Sequence, residues 1–309
     1  MNIQHRVIVA GGSGLIGRYL VRHLYDHGYK VIVVSRNKDL TQKEFAQVAV
    51  SLHWDELMNG QNKTLFDGDY SIVNLSGENI SKSKWTNTFK EKILKSRLES
   101  TQKLVQLVNQ SQNPPNIFIQ ASAIGYYDNI SGNISTESAP KGRGFLSDTV
   151  DKTETFFSEK INPQFRTAII RTGIVLSVEG GALPKLALPF KYYIGGKTGN
   201  GNQWRSWIHY YDEVRAIQHL IENKTSSGIY NLTAPQPLTE KEFGKTLEKV
   251  MKRPAWTTIP APLLRLVFGE MADAILLNGE RVIPEKLMKE NFKFEFSDLE
   301  SALKNLFCE

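Results

Sequence analysis

A single cysteine, Cys308 at the penultimate position of 309 residues, leaves no partner for an internal disulfide and argues against a thiolate metal site or a cysteine nucleophile. The six histidines are scattered and none opens an H-E-x-x-H motif, so no metal centre is expected. No apolar run approaches the roughly 18 residues that suggest a membrane-spanning helix. The beginning, MNIQHRVIVA, lacks the apolar stretch and small-residue cleavage site of a secretory signal, and a cytoplasmic protein without membrane contact is expected. Low-complexity tracts and fixed-period repeats are missing too. What remains is ordinary globular composition, 40% hydrophobic and 23% charged, in a chain long enough for one large domain or two unequal ones. The net charge of +6 concentrates in KSKWTNTFKEKILKSR, residues 82–97. A basic patch alone is a weak sign of nucleic acid, and the run reads as a solvated helix face or an attraction for a phosphorylated small ligand.

Short β-branched runs punctuate the chain: RVIVAG (6–11), KVIVVS (30–35), SIVNLSG (71–77) and NIFIQASA (116–123). Bounded by turn formers, they have the character of buried parallel strands. Between the first two, Ile16, Leu20 and Leu24 keep helical spacing and Gly28 supplies a stop. This βαβ alternation predicts an α/β fold, a doubly wound parallel sheet of Rossmann type. Further strands are expected at RTAIIRTGIVL (166–176) and GIYNLTA (228–234). Residues 1–176 and 202–235 are therefore expected to form the Rossmann-type domain. Residues 177–201 and 236–309, which break the alternation with Pro, Gly and aromatics, are expected to form a smaller α/β substrate-binding region.

Directly after the first strand, AGGSGLIG sets Gly11, Gly14 and Gly17 in G-x-x-G-x-x-G spacing, with Leu15 and Ile16 opening the helix behind them. Such glycines allow a tight turn, close approach of backbone to a pyrophosphate, and packing of helix on strand. The helix N-terminus then faces the anion. NAD sites usually place a carboxylate at the end of the second strand, whereas Ser35 and Arg36 stand there in this chain. A guanidinium beside a hydroxyl suits a 2′-phosphate, so NADP is the expected cofactor.

GGSGLIG, NLSGENI (74–80), SRLEST (96–101), ASAIGYY (121–127), RTGIVL (171–176), GNGNQWRSWIH (199–209) and FGEMADAILLNGERVIPEKL (268–287) together resemble the atypical, extended short-chain dehydrogenase/reductases. More narrowly, they resemble the NAD-dependent epimerase/dehydratase-like branch with its own C-terminal domain of unknown function. The resemblance runs nearly end to end. It implies an extended Rossmann domain and NADP, with Leu75 and Ser76 beneath the adenosine ribose and Gly77 keeping side chains clear. It also implies that Arg97 points toward the cofactor and that Gly173 and Ile174 flank the nicotinamide.

Ser122 matches the family's hydroxyl that hydrogen-bonds the reacting oxygen. Its usual partners, a tyrosine and a lysine four residues on, would lie in the helix GFLSDTVDKTETFF, yet Phe145 or Leu146 holds the first slot and Thr149 or Val150 the second. Either Tyr126 replaces the missing tyrosine, or the chemistry has been lost; Lys152 is a further basic group on that helix. On the substrate side, Tyr127, Trp204, Trp207 and His209 could line a cleft for a flat or sugar-like ligand. Two functions remain open. One is an NADP-dependent oxidoreductase or epimerase exchanging hydride with a carbonyl or secondary alcohol of a small polar, sugar-nucleotide-like substrate. The other is a catalytically idle NADP(H) sensor acting through a protein partner. A homodimer is left open as an assembly.

Overall fold

β-branched residues pack well on a pleated surface, and runs of them become buried strands. The computed structural model, which describes residues 5–60, 62–128 and 132–308, forms them into β1 (Arg6–Ala10), β2 (Lys30–Ser35), β3 (Ala49–His53), β4 (Tyr70–Asn74), β5 (Phe118–Ala123), β6 (Thr167–Thr172) and β7 (Gly228–Leu232). They make one seven-stranded sheet in the order 3-2-1-4-5-6-7 with every neighbouring pair parallel. In register, Ile8 stands beside Ile32 and Ile72. Successive side chains point to opposite faces, so Val7 and Val9 join one core and Ile8 and Ala10 the other.

Helices α1 (Leu15–Asp26), α2 (Asn87–Gln110), α3 (Phe145–Lys160), α4 (Leu183–Lys191), α5 (Tyr210–Glu222), α6 (Glu240–Met251) and α7 (Leu299–Cys308) complete the layers. On one face, α1 and α5 bury Leu20, Leu24, Ile217 and Leu220. On the other, α2 and α3 bury Leu104, Val108 and Phe157. A third core lies outside the sheet, where Leu183 and Phe190 of α4 meet Phe243 and Leu247 of α6 and Leu303 of α7 around Leu176 and Trp207. The Asp212 carboxylate accepts the backbone N–H groups of Glu295 and Phe296 at 2.9 and 2.8 Å, which ties the C-terminal segment to α5.

Two details depart from the sequence reading. The strand expected over 166–176 breaks at Gly173: β6 stays in the main sheet, while Ile174–Leu176 pairs in parallel with Trp207–His209. A Cβ at Gly173 would stand 2.7 Å from Ser206 O, so the crossing of the two segments requires glycine. Strand β3, not foreseen, lies at the sheet edge, where it leaves Val50 about half exposed and shows no continuous apolar run. Among the described residues, no helix is long and apolar enough to cross a membrane.

The glycine turn makes a clear contrast in stability. A Cβ on Gly17 would lie 2.4 Å from Gly11 O and 2.6 Å from Gly12 Cα, whereas Gly28, at φ +83°, has nothing within 4 Å of its missing Cβ. Gly17→Ala is expected to cost about 3 kcal/mol or more, because backbone cannot yield as a side chain can. Gly28→Ala should cost only the left-handed penalty of roughly 1 to 2 kcal/mol. Urea midpoints measure both, and an equal loss at the two sites would contradict this packing.

Candidate functional site

The strand order reverses between β1 and β4, and their carboxyl ends part to leave a crevice, the usual ligand position in such sheets. Gly11, at φ +82°, turns the chain there so tightly that a Cβ would sit 2.8 Å from the Leu75 carbonyl carbon. Gly14 caps α1 without a side-chain hydrogen bond, and no acidic residue occupies the first turn. The N–H groups of Leu15 and Ile16, which have no carbonyl partner within the helix, therefore present a positive end to an anion.

A cavity of about 280 Å³ runs over this turn, lined by Ser35, Arg36, Ser76 and Gly77 and, from α2, by Ser100 and Lys103. Leu75, Ser76 and Gly77 also line a second cavity of about 420 Å³, which reaches Arg97, Ser122, Gly173, Ile174 and Trp204. The two cavities adjoin at Leu75, Ser76 and Gly77 and together follow the strand ends as a channel with a shared wall. Ser76 Oγ is buried in its wall with no protein partner, a polar atom left for a ligand. Arg36 is 75% exposed and lies 3.7 Å from the buried carboxylate of Glu78. Lys82 and Lys92 approach the same carboxylate at 3.1 and 3.8 Å. Burial would raise the pKa of Glu78, but the three cations outweigh it and hold the carboxyl below its ordinary range. Arg97 is half-buried against Gly77 and donates to the carbonyls of Glu78 and Ile93 at 3.2 and 2.9 Å. It braces the turn as well as lining the channel.

At the far end, Ser122 Oγ donates to Glu154 Oε1 of α3 at 2.5 Å. Glu154 in turn receives Arg171 of β6 through Nε (2.9 Å) and Nη2 (2.6 Å), in a buried two-pronged ion pair. Arg171 Nη1 donates to the Tyr127 hydroxyl at 2.9 Å, and that hydroxyl donates to Asn231 Oδ1 at 2.7 Å. The Arg171 guanidinium also lies 3.4 Å from the centre of the Tyr126 ring. With its only proton directed at Glu154, Ser122 offers the channel an acceptor and not a donor.

Several residues expected at the substrate are placed elsewhere. Tyr127, 2% exposed, belongs to the Arg171 network. Trp207 is fully buried in the third core with Nε1 donating to Gln236 O. His209, also buried, accepts the Tyr211 N–H and packs at a tilt against Phe296 with 4.0 Å between ring centres; burial pushes its pKa down to about 4, so the ring stays neutral. Tyr126 is turned onto Arg171 and is not among the channel-lining residues. Lys152 is exposed on α3. Trp204 does line the channel, beneath the Arg281 guanidinium at 4.1 Å. His23 in the last turn of α1 and His27 just past its end stand four apart, but the His23 ring is bonded to Gln218, and among the described residues no His, Cys, Asp or Glu cluster could hold a metal. Tyr193 and Lys197 have Tyr-x-x-x-Lys spacing but lie in a turn and a short strand, outside the channel.

Comparison with known proteins agrees with this architecture. Residues 7–143 match the NAD dependent epimerase/dehydratase family, and residues 259–306 match a domain of unknown function. An epimerase family protein of Staphylococcus aureus is 35% identical over 301 residues, covering 97% of this chain and 98% of its own. The chain belongs to the epimerase family. A crystal structure of human epimerase family protein SDR39U1, isoform 2, with NADPH superposes with TM-score 0.88 at 31% identity, covering 97% of this chain and 98% of that one. A nucleoside-diphosphate sugar epimerase from Corynebacterium glutamicum aligns at TM-score 0.77 and 29% identity, over 98% of this chain and 58% of that one.

Within this epimerase-family scaffold, the residues missed by sequence reasoning are mostly charged. Ser96, Ser100 and Lys103 fall on one face of α2 and line the first cavity, a pattern readable from their helical spacing at and beyond the end of the basic run. Glu154 and Arg171 gave no such signal, since a charge on a helix or near a strand end usually reads as solvated. Their pairing makes a test. Arg171→Met should cost about 3 to 5 kcal/mol because it leaves Glu154 buried and unpaired. Adding Glu154→Leu should recover much of that loss, as apolar replacement of both partners removes the uncompensated charge. Urea unfolding of Arg171→Met, Glu154→Leu and the double variant measures it; a double variant that loses as much as the sum of the two single losses, or more, would contradict the pairing.

Proposed function

We propose that the protein is an NADP(H)-dependent oxidoreductase or epimerase that exchanges hydride with a carbonyl or secondary alcohol of a small polar substrate. The observation that carries this reading is the pair of adjoining cavities, one lined by Ser35 and Arg36 and the other by Ser122 and Gly173, with the unpartnered Ser76 hydroxyl in the wall they share. These residues fit a dinucleotide: the Gly11–Gly14 turn and the α1 N-terminus for a pyrophosphate, Ser76 for a ribose hydroxyl, and Gly173 and Ile174 beside a nicotinamide. When bound, the dinucleotide supplies or accepts hydride at nicotinamide C4. The chain's part is to orient it and to manage the proton on the substrate oxygen. Ser122, as an acceptor, suits the O–H of an alcohol, with Glu154 and Arg171 fixing its direction.

NADP is favoured over NAD because Arg36 and Lys103 flank the first cavity and no carboxylate ends β2. The human relative solved with NADPH supports the same choice. A second reading, an NADP(H) sensor without catalysis, draws on Leu146, Thr149 and Val150, which face the channel where the family's proton-transferring pair is expected.

Calorimetry tests the cofactor assignment. NADPH should bind more tightly than NADH by about 1.5 to 3 kcal/mol, roughly 10- to 150-fold, the value of one charged hydrogen bond. Arg36→Asp should abolish the difference. Equal affinities of the unmodified protein for the two dinucleotides would contradict the assignment.

A further inference from the structure

Reduction of a carbonyl leaves an oxyanion that needs a proton. In this channel α3 presents Leu146, Thr149 and Val150, and the Ser122 proton is held by Glu154. The wall contributed by the C-terminal region differs. After the short π-helix Ala272–Leu277, residues Asn278 to Glu280 lie against Trp204 to Ser206 and line the same cavity as Ser122 and Gly173. The contact is backbone on backbone, for a Cβ on Gly279 would stand 2.0 Å from Trp204 O. Ser206 clamps the next residues: its hydroxyl donates to Glu280 O at 2.7 Å and accepts the Val282 N–H at 2.8 Å. Arg281–Val282 then pairs in parallel with Ile134–Ser135. Glu280, half-buried, is thus held by its neighbours on both sides and is one of the residues lining the cleft.

We propose that Glu280 is the proton donor and acceptor for the substrate oxygen, an inference that rests on the hydride-transfer reading above. In the reducing direction, hydride forms the new C–H bond and the carbonyl π pair moves to oxygen. The Glu280 O–H bond breaks as the alcohol O–H forms. The carbonyl is reduced, the dinucleotide is oxidised, and the carboxylate regains a proton from solvent; oxidation runs the same steps in reverse.

The charged groups facing Glu280 are Arg205 and Asp128. Arg205 is engaged elsewhere, donating to Glu240 at 2.7 Å and to the carbonyls of Ile275, Leu276 and Asn278, and it forms no ion pair with Glu280. Burial pushes the Glu280 carboxyl up to about 7; its own backbone N–H and Arg205 oppose the rise and Asp128 adds to it. An acid titrating near neutrality is available in both forms, as proton transfer in two directions requires.

Glu280→Gln preserves size and loses the acidic proton. With NADPH and benzaldehyde, cyclohexanone and diacetyl as probes, its turnover should fall by about 10²- to 10⁴-fold while NADPH affinity by calorimetry stays unchanged. Turnover of the unmodified protein should decline above about pH 7 as the acid ionises, and the variant should lack that decline. Independently of turnover, carbon NMR of protein labelled at the glutamate carboxyl carbons should show a resonance titrating near pH 7 that disappears in Glu280→Gln. It is distinct from Glu213, whose carboxyl, buried beside Thr172, is pushed up to about 8. A Glu280 resonance titrating near the ordinary 4.5, or a variant with unchanged turnover and pH dependence, overturns the proposal. Failure of the unmodified protein to bind NADPH overturns the functional reading instead, and the carboxyl titration tells the two failures apart.

Discussion

A guanidinium buried between parallel strands cannot remain unpaired without a cost of several kcal/mol, and Arg171 is such a group at 2% exposure. Glu154 meets the demand from α3, and much of the functional end of the molecule follows from that pairing. To aim Glu154 at β6, α3 must rotate so that Leu146, Thr149 and Val150 face the cleft. The same carboxylate draws the Ser122 proton away from the channel. Tyr126 and Tyr127 pack on the guanidinium, and Tyr127 passes the network to Asn231, whose amide reaches Ile283 O at 3.0 Å. The C-terminal segment that carries Glu280 is thereby joined to the centre of the sheet.

The opposite end of the channel is governed by free backbone groups and by surplus positive charge. The uncapped first turn of α1 suits an anion, and the basic residues nearby do not act as a diffuse field. Lys82, Lys92 and Arg36 converge on Glu78, while Lys103 stands apart on the wall of the first cavity. Part of the +6 surplus is therefore organised around one buried carboxylate beside the proposed phosphate position.

Legibility in the sequence followed the kind of constraint. Gly11 and Gly17 were readable because no other residue satisfies their backbone approach, and that demand appears directly as a letter. Strands β1, β2 and β4 were readable because burial on both faces requires continuous apolar runs. The edge strand β3 has no such requirement and went unseen. Trp207 and His209 read as cleft residues in the sequence because an aromatic side chain serves equally well in a core, and only tertiary packing, Trp207 in the third hydrophobic cluster and His209 against Phe296, decides between the two. Tyr127 is misleading for a related reason: its hydroxyl is needed by Arg171, 44 positions away in no local pattern. Glu154, Arg171 and Glu280 look like ordinary surface charges until tertiary structure buries the first two and half-buries the third.

Transfer of label from cofactor to substrate addresses the proposed chemistry most directly. Protein supplied with NADPH deuterated at nicotinamide C4, on one face or the other, and with a carbonyl compound would be analysed by mass spectrometry of the alcohol formed. A channel that fixes the nicotinamide beside Gly173 and Ile174 should pass deuterium to the carbinol carbon from one face only. Alcohol without deuterium from either labelled form, or none at all from protein saturated with NADPH, would contradict hydride transfer in this cleft.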